Sequence, residues 1–449
     1  MNAGKRILQI SEWSTLTEHN ISEPQRQAVD KAATSWQRKN NLPHPPLWFS
    51  GPDGHILNAR QYVGVVEVTG ITIEIYPKLD RRILTYGPIT DPSAASAVMD
   101  SLIWVLDVAK YIDINEADKA ALRDIPANFI DLFAILFGRH LLTELRVGLP
   151  RAYIRQEDDL RLVRGQILFL DQITRNLNRS DLMSCAWDEF TVDTTINRIL
   201  KCASRFLIER VRNFTVRRLL ESCVVYFDEV TDIDPITAIH KAQHVRWDRT
   251  NDRLETVFNL AHLMLSGSAP TLKSGDTSTF VFLLDMNKVF ERYCWSILRT
   301  AFQVPVSFQK NVGRLFPILP KGGIIQIVDF FWIAEDNNVY VADAKYKQIT
   351  KGIVESLQLS NIEAEEEGKF AGYILNANDV RQLTVYAELA CKQLSLDSPP
   401  NILLMYPHDE SGKFETSSTE AWNNSQFTLL PVKMTRQPSV ADTIPKQDP

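Results

Sequence analysis

Two aspartates and a lysine, Asp329, Asp343 and Lys345, form the pattern D-x13-D-A-K within two runs rich in β-branched and aromatic residues. The runs cover 326–333 and 339–346, and the turn-forming residues between them predict an antiparallel hairpin. Because side chains alternate along a strand, Asp343 and Lys345 project from the same face. Both faces of the hairpin also carry apolar residues, so it belongs in the middle of a sheet that helices cover.

The direction of Asp329 depends on the length of the hairpin loop. If Ile333 pairs with Val339 across a five-residue loop, Asp329 lies opposite Asp343 and shares its face. A four-residue loop, 335–338, would turn Asp329 to the other face. We predict the five-residue loop, or a bulge with the same effect.

Two carboxylates on neighbouring strands form a hard oxygen site of the kind that Mg²⁺ prefers. We expect Asp329 and Asp343 to hold the metal, with the carbonyl of Ala344 as a further oxygen ligand. The ion would acidify its bound water and withdraw charge from a phosphoryl group, while Lys345 would orient that water. Because short patterns recur by chance, the alternative is an Asp–Lys ion pair beside an unrelated aspartate.

A helix predicted over 285–302, with Asp285 as its N-cap, precedes the hairpin. Glu291 lies at the edge of its apolar stripe, from where it would reach the metal or a water bound to it. The commoner alternative for such a glutamate is simple solvation.

A second helix, with Asp379 as its expected cap, follows the hairpin. Gln382 and Tyr386 are four residues apart and therefore share one helix face. An amide and a phenol beside the site suit contacts to a nucleic-acid backbone, and ordinary surface residues are the alternative.

The rest of the chain divides by its patterning. The alternation over 62–77 predicts a hairpin with a half-buried strand, and helical spacing covers 94–146 and 194–211. Before residue 60 we expect an irregular segment. We expect four regions: a β-rich and helical region 1–150, a helical, arginine-rich connection 151–270, a region 280–432 that contains the hairpin, and a disordered tail 433–449.

Composition limits the function classes. The 449 residues carry a formal charge of −6, so any nucleic-acid contact must be local. No apolar run reaches the length of a membrane span, and we expect a cytoplasmic protein without membrane contact. The chain lacks a G-x-x-x-x-G-K-[ST] phosphate loop, so we expect it to bind no nucleotide itself.

The triplet Asp329, Asp343 and Lys345 resembles the motif of the PD-(D/E)xK nuclease superfamily, and Gln382 with Tyr386 resembles the Q-x3-Y helix of several of its branches. The usual proline before the first aspartate is Val328 here. More specifically, the chain resembles the McrC family. Three parts carry this resemblance in the family's order: GVVEVTGITIEIYPKL, RGQILFLDQITRN through DEFTVDTTINRILK, and VDFFWI…VYVADAKYK with DVRQLTVYA.

The resemblance implies an α+β multidomain protein. An N-terminal region with a β-hairpin and helices would precede a C-terminal α/β nuclease domain, whose central mixed sheet is flanked by helices. It also implies a DNA endonuclease that uses Mg²⁺, with Mn²⁺ as the alternative, and acts on double-stranded DNA carrying modified bases. The implied partner is a McrB-like AAA+ GTPase hexamer, which residues 1–150 would bind and whose GTP hydrolysis the chain would stimulate.

Two other functions remain open from the sequence. The first is a non-catalytic assembly factor that binds DNA or only activates the GTPase. The second is a nuclease that acts on RNA or DNA ends without a partner.

Overall fold

The computed structural model describes residues 6–17, 20–68, 70–79, 92–110, 128–179, 181–267, 279–302, 304–315, 323–347, 367–370, 373–407, 418–422 and 425–434. The expected disordered tail, 433–449, lies almost wholly outside these residues. Within the described part of the chain, no helix is long and apolar enough to cross a membrane.

Strands and helices are distributed along the whole chain. The strands are β1 (Arg6–Ser11), β2 (Thr15–Leu16), β3 (Leu47–Ser50), β4 (Ile56–Ala59), β5 (Tyr62–Val68), β6 (Ile71–Tyr76), β7 (Ala152–Leu160), β8 (Gln166–Ile167), β9 (Met183–Thr191), β10 (Phe280–Asp285), β11 (Ser307–Leu315), β12 (Ile324–Ile333), β13 (Val339–Ala344), β14 (Glu367–Phe370), β15 (Tyr373–Asn376), β16 (Asn401–Pro407), β17 (Ser418–Trp422) and β18 (Ser425–Val432). The helices are α1 (Glu23–Lys39), α2 (Pro92–Val108), α3 (Phe129–Val147), α4 (Phe169–Arg175), α5 (Thr195–Ile208), α6 (Phe214–Val224), α7 (Pro235–Ala242), α8 (Glu255–Ser266), α9 (Met286–Ala301) and α10 (Ala377–Leu394).

The first sheet has the strand order β1-β6-β5-β10, with β1 parallel to β6 and the other pairs antiparallel. The predicted hairpin is confirmed, but the half-buried strand is wrong, because every residue of β5 and β6 is buried. Hydrophobic clusters cover both faces of the sheet. The buried Glu74 carboxylate is satisfied by the Gln9 amide at 3.1 Å and the Tyr76 hydroxyl at 3.0 Å.

The irregular segment expected before residue 60 is also wrong. Helix α1 begins after Ser22, whose capping box with Gln25 and the following Pro24 are standard signals of a helix start. Its buried residues include the small Ala32 and Ala33, so the apolar stripe is weak in the sequence. Strands β2, β4 and β3 form a small sheet beside it.

The middle of the chain is mainly helical, as the spacing predicted. Helix α5 begins after Thr194, whose hydroxyl accepts a hydrogen bond from the Asn197 N–H at 3.3 Å. The region 151–270 is not helical throughout, because strands β7, β9 and β8 form an antiparallel sheet there. Large apolar residues are exposed on this sheet, in the loop between β7 and β8 and on α4, among them Tyr153, Leu162 and Leu170.

The C-terminal sheet is mixed, in the order β11-β12-β13-β16-β18-β17. Strands β12 and β13 are antiparallel, and Ile333 pairs with Val339, so the predicted five-residue loop is confirmed. Strands β13, β16 and β18 run parallel to one another. Apolar residues of α9 pack in the cluster on one face of this sheet, and those of α10 pack in the cluster on the other.

A buried aspartate joins two helices of the middle region. Asp131, in the first turn of α3, accepts hydrogen bonds from the backbone N–H groups of Arg212 at 2.9 Å and Asn213 at 3.1 Å, at the start of α6. Asp131 is 1% exposed. Its removal therefore leaves two backbone donors without their acceptor.

We expect Asp131→Ala to lower the free energy of unfolding by about 2–4 kcal/mol, because each orphaned donor costs about 1–3 kcal/mol. Calorimetry of both proteins measures the loss. As a control, Asp171→Ala removes the half-exposed first-turn aspartate of α4 and should change stability by less than about 0.5 kcal/mol. Equal effects of the two substitutions would contradict the proposed role of Asp131.

Candidate metal and phosphodiester site

The hairpin brings the two predicted aspartates together where β12 and β13 stop pairing regularly. The last pair of the ladder toward the site is Phe330 with Ala342, and Asp329 and Asp343 are the next residues on each strand. Strand β13 remains paired with β16 on its other side, where Asp343 lies next to Leu404. The aspartates thus lie at an opening between two strands.

Strand β12 is irregular at Asp329. Val328 packs in the cluster with α10, whereas Phe330, two residues later, packs in the cluster with α9. Residues two apart on a regular strand share a face, so the alternation is broken here. The neighbouring strand β11 is irregular at the same place. Between the pairs Phe308–Phe330 and Lys310–Val328, Gln309 has φ +51°. Such irregularities re-aim side chains beside functional sites.

The three residues of the motif are in contact. The Ala344 backbone N–H donates to Oδ2 of Asp329 at 2.9 Å, and the carboxyl groups of Asp329 and Asp343 are close enough to shift each other's pKa. Nζ of Lys345 lies 2.6 Å from Oδ2 of Asp343. This contact is an ion pair without the alignment of a good hydrogen bond, so the buried Oδ2 of Asp343 has no hydrogen-bond partner among the described residues.

Burial dominates the electrostatics of this group. Asp343 is 2% exposed, and burial followed by the Asp329 charge raises its pKa to about 7. Burial also raises the pKa of Asp329, against the opposing effect of the Ala344 N–H. Burial lowers the pKa of Lys345, but the neighbouring carboxylates outweigh it and the net pKa is raised. Once both acids are ionised, above the raised pKa of Asp343, the pair carries more negative charge than one ammonium compensates.

Glu291, Gln382 and Tyr386 all lie at this site. Burial and then the charge of Asp343 raise the pKa of Glu291, which faces the aspartates from α9. Lys345 Nζ donates to the Gln382 side-chain oxygen at 3.4 Å, and the Gln382 amide is in close contact with the Tyr386 hydroxyl.

Both predicted helix starts can be compared with the structure. Asp285 caps α9 as predicted, because its side chain accepts from the Asn287 N–H at 3.1 Å. The predicted cap at Asp379 is wrong, since α10 begins at Ala377. Asp379 lies in the first turn of α10 instead, where its carboxylate accepts from Nζ of Lys347 at 3.4 Å.

Sequence reasoning missed two residues near the site. Tyr346 follows Lys345, and its hydroxyl donates to Oε1 of Glu12 at 2.6 Å. Glu12 is fully buried at the end of β1, and burial raises its pKa to about 7. The two residues are 334 positions apart, so no local pattern could have joined them.

The oxygen atoms suit a metal that keeps part of its water shell. Among the described residues, no group of three or more His, Cys, Asp or Glu side chains is arranged to hold a metal. An all-protein cage is therefore not formed by this part of the chain. Mg²⁺ is commonly bound through one or two carboxylates plus waters and substrate phosphate, which is the donor set that Asp329 and Asp343 offer.

Residues 57–390 match the family described as McrBC 5-methylcytosine restriction system component. The chain belongs to this family. A comparison with curated proteins finds no match to this McrBC-family chain.

Two solved structures are similar to this McrBC-family protein. One is the refined half-complex from the tetradecameric assembly of Thermococcus gammatolerans McrB AAA+ hexamers with bound McrC, at 19% identity, TM-score 0.67 and 97% coverage of both chains. The other is the cryo-EM structure of the Thermococcus gammatolerans McrBC complex, at 23% identity and TM-score 0.48, covering 65% of this chain and 87% of that one. The first similarity shows that the mixed α+β fold is shared along nearly the whole chain.

We expect the metal-free Asp343→Asn protein to be more heat-stable than the wild type at pH 8. The pKa of Asp343 is raised to about 7 in the folded state. Between the ordinary pKa of a carboxyl group and about pH 7, Asp343 is therefore protonated in the folded protein but ionised in the unfolded protein. Stability therefore falls as pH rises through this window, and the charge penalty is complete above it. Asn removes the charge and hence the penalty.

Thermal midpoints in chelator at pH 8 and pH 5 test this expectation. The variant should melt a few degrees above the wild type at pH 8, and the difference should shrink at pH 5. Asp336→Asn, at the exposed turn of the same hairpin, serves as control and should shift neither midpoint. A variant that melts below the wild type at pH 8 would refute the assigned charge penalty.

Proposed function

We propose that this chain is the DNA endonuclease subunit of a modification-dependent, McrBC-like restriction system. It would cut double-stranded DNA by phosphodiester hydrolysis and stimulate the GTPase of a McrB-like AAA+ partner. The observation that carries the proposal is the contact of the half-buried Asp329 and Lys345 with the buried Asp343 where β12 and β13 stop pairing. The order and types of these residues support the PD-(D/E)xK arrangement as part of the proposal.

In this proposal the two aspartates hold Mg²⁺, or Mn²⁺, and the Ala344 carbonyl is a further candidate ligand. When bound, the ion would supply Lewis-acid activation of water and of the phosphoryl group. When both carboxyl groups are ionised, the buried Asp343 and the half-buried Asp329 carry two negative charges against the one ammonium of Lys345, and a divalent cation would relieve this imbalance. This imbalance is the argument for the metal.

The chain's own side chains would position the reacting groups. Lys345 places an ammonium beside Asp343, where it would stabilise negative charge that develops on the scissile phosphate. Gln382 holds Lys345 from α10 and contacts Tyr386, so the amide and the phenol are available to a DNA backbone. Glu291 would orient a water from the α9 side.

The proposed partner rests on the family and on the surface of the chain. The similar solved structure is described as McrB AAA+ hexamers with bound McrC, and this chain has no phosphate loop of its own. Residues 1–150 remain our proposed contact region. The apolar residues exposed on β7, in the loop after it and on α4 extend the proposal. Tyr153, Leu162, Phe169 and Leu170 are each more than two thirds exposed. Large exposed apolar patches of this kind mark protein interfaces.

We expect Lys345→Ala to lower the rate of DNA cleavage by about 10²–10³-fold, because a half-buried cation at the reacting phosphate is lost. Asp343→Asn should lower the rate at least as much. Both variants should still stimulate GTP hydrolysis by the partner, since neither residue lies on the proposed contact surfaces. Modified plasmid with partner, GTP and Mg²⁺ provides the assay, and Asp336→Asn should cut normally.

Metal-dependent cleavage that survives both substitutions would refute the proposed site. If the wild-type chain stimulates GTP hydrolysis but makes no strand breaks, the non-catalytic assembly factor becomes the better description. Cleavage without any AAA+ partner would instead indicate a stand-alone nuclease.

Metal binding can be measured without cleavage. We expect Mg²⁺ at a hundred times its dissociation constant to stabilise the wild type by about 2.7 kcal/mol, because it binds the folded state alone. Asp329→Asn and Asp343→Asn should abolish this gain, and chelator should reverse it. Equal thermal shifts in the wild type and in both variants would place the metal elsewhere.

A further inference from the structure

Glu12 is a buried acid that the proposed cleavage mechanism does not use. It directly follows β1, and its backbone N–H donates to the Tyr76 carbonyl at 2.9 Å, so the first sheet holds its main chain in place. The side chain is fully buried. A buried carboxylate is costly. Stability alone would be better served by an uncharged side chain at this position.

One oxygen of Glu12 joins the first sheet to the candidate site. Oε1 accepts the Lys78 backbone N–H at 2.8 Å and the Tyr346 hydroxyl at 2.6 Å. Oε2 is buried and has no hydrogen-bond partner among the described residues. The Lys78 backbone N–H thus fixes the position of the Glu12 oxygen that accepts the Tyr346 hydroxyl.

Tyr346 lies where the regular pairing of β13 has ended. Strand β13 ends at Ala344, and the Lys345 N–H still donates to the Met405 carbonyl at 2.8 Å. The next residue, Tyr346, is held by its side chain: its ring packs at 5.7 Å from that of Phe290, and its hydroxyl reaches Glu12. Adjacent side chains along extended backbone point to opposite sides. Anchoring Tyr346 on one side therefore directs Lys345 to the other, toward Asp343.

We propose that Glu12, through Tyr346, is a positioning residue for Lys345 in the cleavage reaction. The inference rests on the proposed nuclease function and adds a residue of the first sheet to the machinery of the site. A second connection points the same way, since β10 of the first sheet leads directly into α9, which carries Glu291. Small displacements of reacting groups cost large factors in rate.

Cleavage kinetics with the full chain and its partner test the proposal. We expect Glu12→Ala and Tyr346→Phe each to lower kcat by about 10–100-fold, while KM for DNA stays unchanged. The double variant should lose no more than the worse single variant, because both break one contact. Glu12→Gln keeps an accepting oxygen for both donors and should retain kcat within about threefold.

The matched control is Tyr76→Phe. It removes another buried tyrosine hydroxyl that donates to a glutamate of the same sheet, Glu74, at 3.0 Å, and this bond does not reach the site. We expect its kcat to equal that of the wild type. If Tyr76→Phe lowers kcat as much as Tyr346→Phe, or if Glu12→Gln fails like Glu12→Ala, the positioning role is overturned.

Hydrogen exchange separates this inference from the proposed function. Backbone amides of 344–347 should exchange faster in Glu12→Ala and Tyr346→Phe, but not in Glu12→Gln or Tyr76→Phe. A wild type that cuts, with kcat unchanged in Tyr346→Phe, overturns the inference alone. A wild type that does not cut overturns the nuclease function. In that case, unchanged exchange of 344–347 in Glu12→Ala and Tyr346→Phe overturns the Glu12 anchor as well, whereas faster exchange supports it.

Discussion

The placement of two like-charged acids on neighbouring strands, one buried and one half-buried, is the constraint on which the rest of the structure depends. Asp329 and Asp343 come together because Ile333 pairs with Val339 across the five-residue loop, and a shift by one residue would turn Asp329 away. Helices cover both faces of the sheet that carries them. Lys345 and the Ala344 N–H offset part of the cost of burial, which still raises the pKa of both acids.

A site of this kind weakens the element that carries it, so its support must come from elsewhere. The strand irregularity at Asp329 removes regular pairing on one side of Asp343, while β16 continues to pair on the other. Helix α10 holds Lys345 through Gln382, and α9 presents Glu291. Each support is a side chain from a different element. The candidate site is therefore a product of tertiary packing and not of the hairpin alone.

How far the sequence could predict this arrangement depends on the range of the interactions. The hairpin, its register and the cap at Asp285 follow from patterns within a few residues, and the sequence predicts them correctly. The burial of both faces of β5 and β6 depends on packing from distant helices, so alternation over 71–76 indicated a solvated face that does not exist. The hydrogen bond between Glu12 and Tyr346 exists only because the fold brings the two residues together, and neither their types nor their spacing in the sequence predicts it.

The same long-range contacts bear on whether the C-terminal sheet could act as a separable nuclease. Its hydrophobic cluster on the α9 side is continuous with that of α2, α3 and the first sheet, and β10 pairs with β5 before the chain enters α9. Cutting the chain at the predicted boundary near residue 280 would therefore expose a strand edge and remove the acceptor of Tyr346. A candidate site whose lysine is held from the N-terminal sheet is assembled only in the whole chain. The region proposed to contact the partner therefore also supports the candidate site.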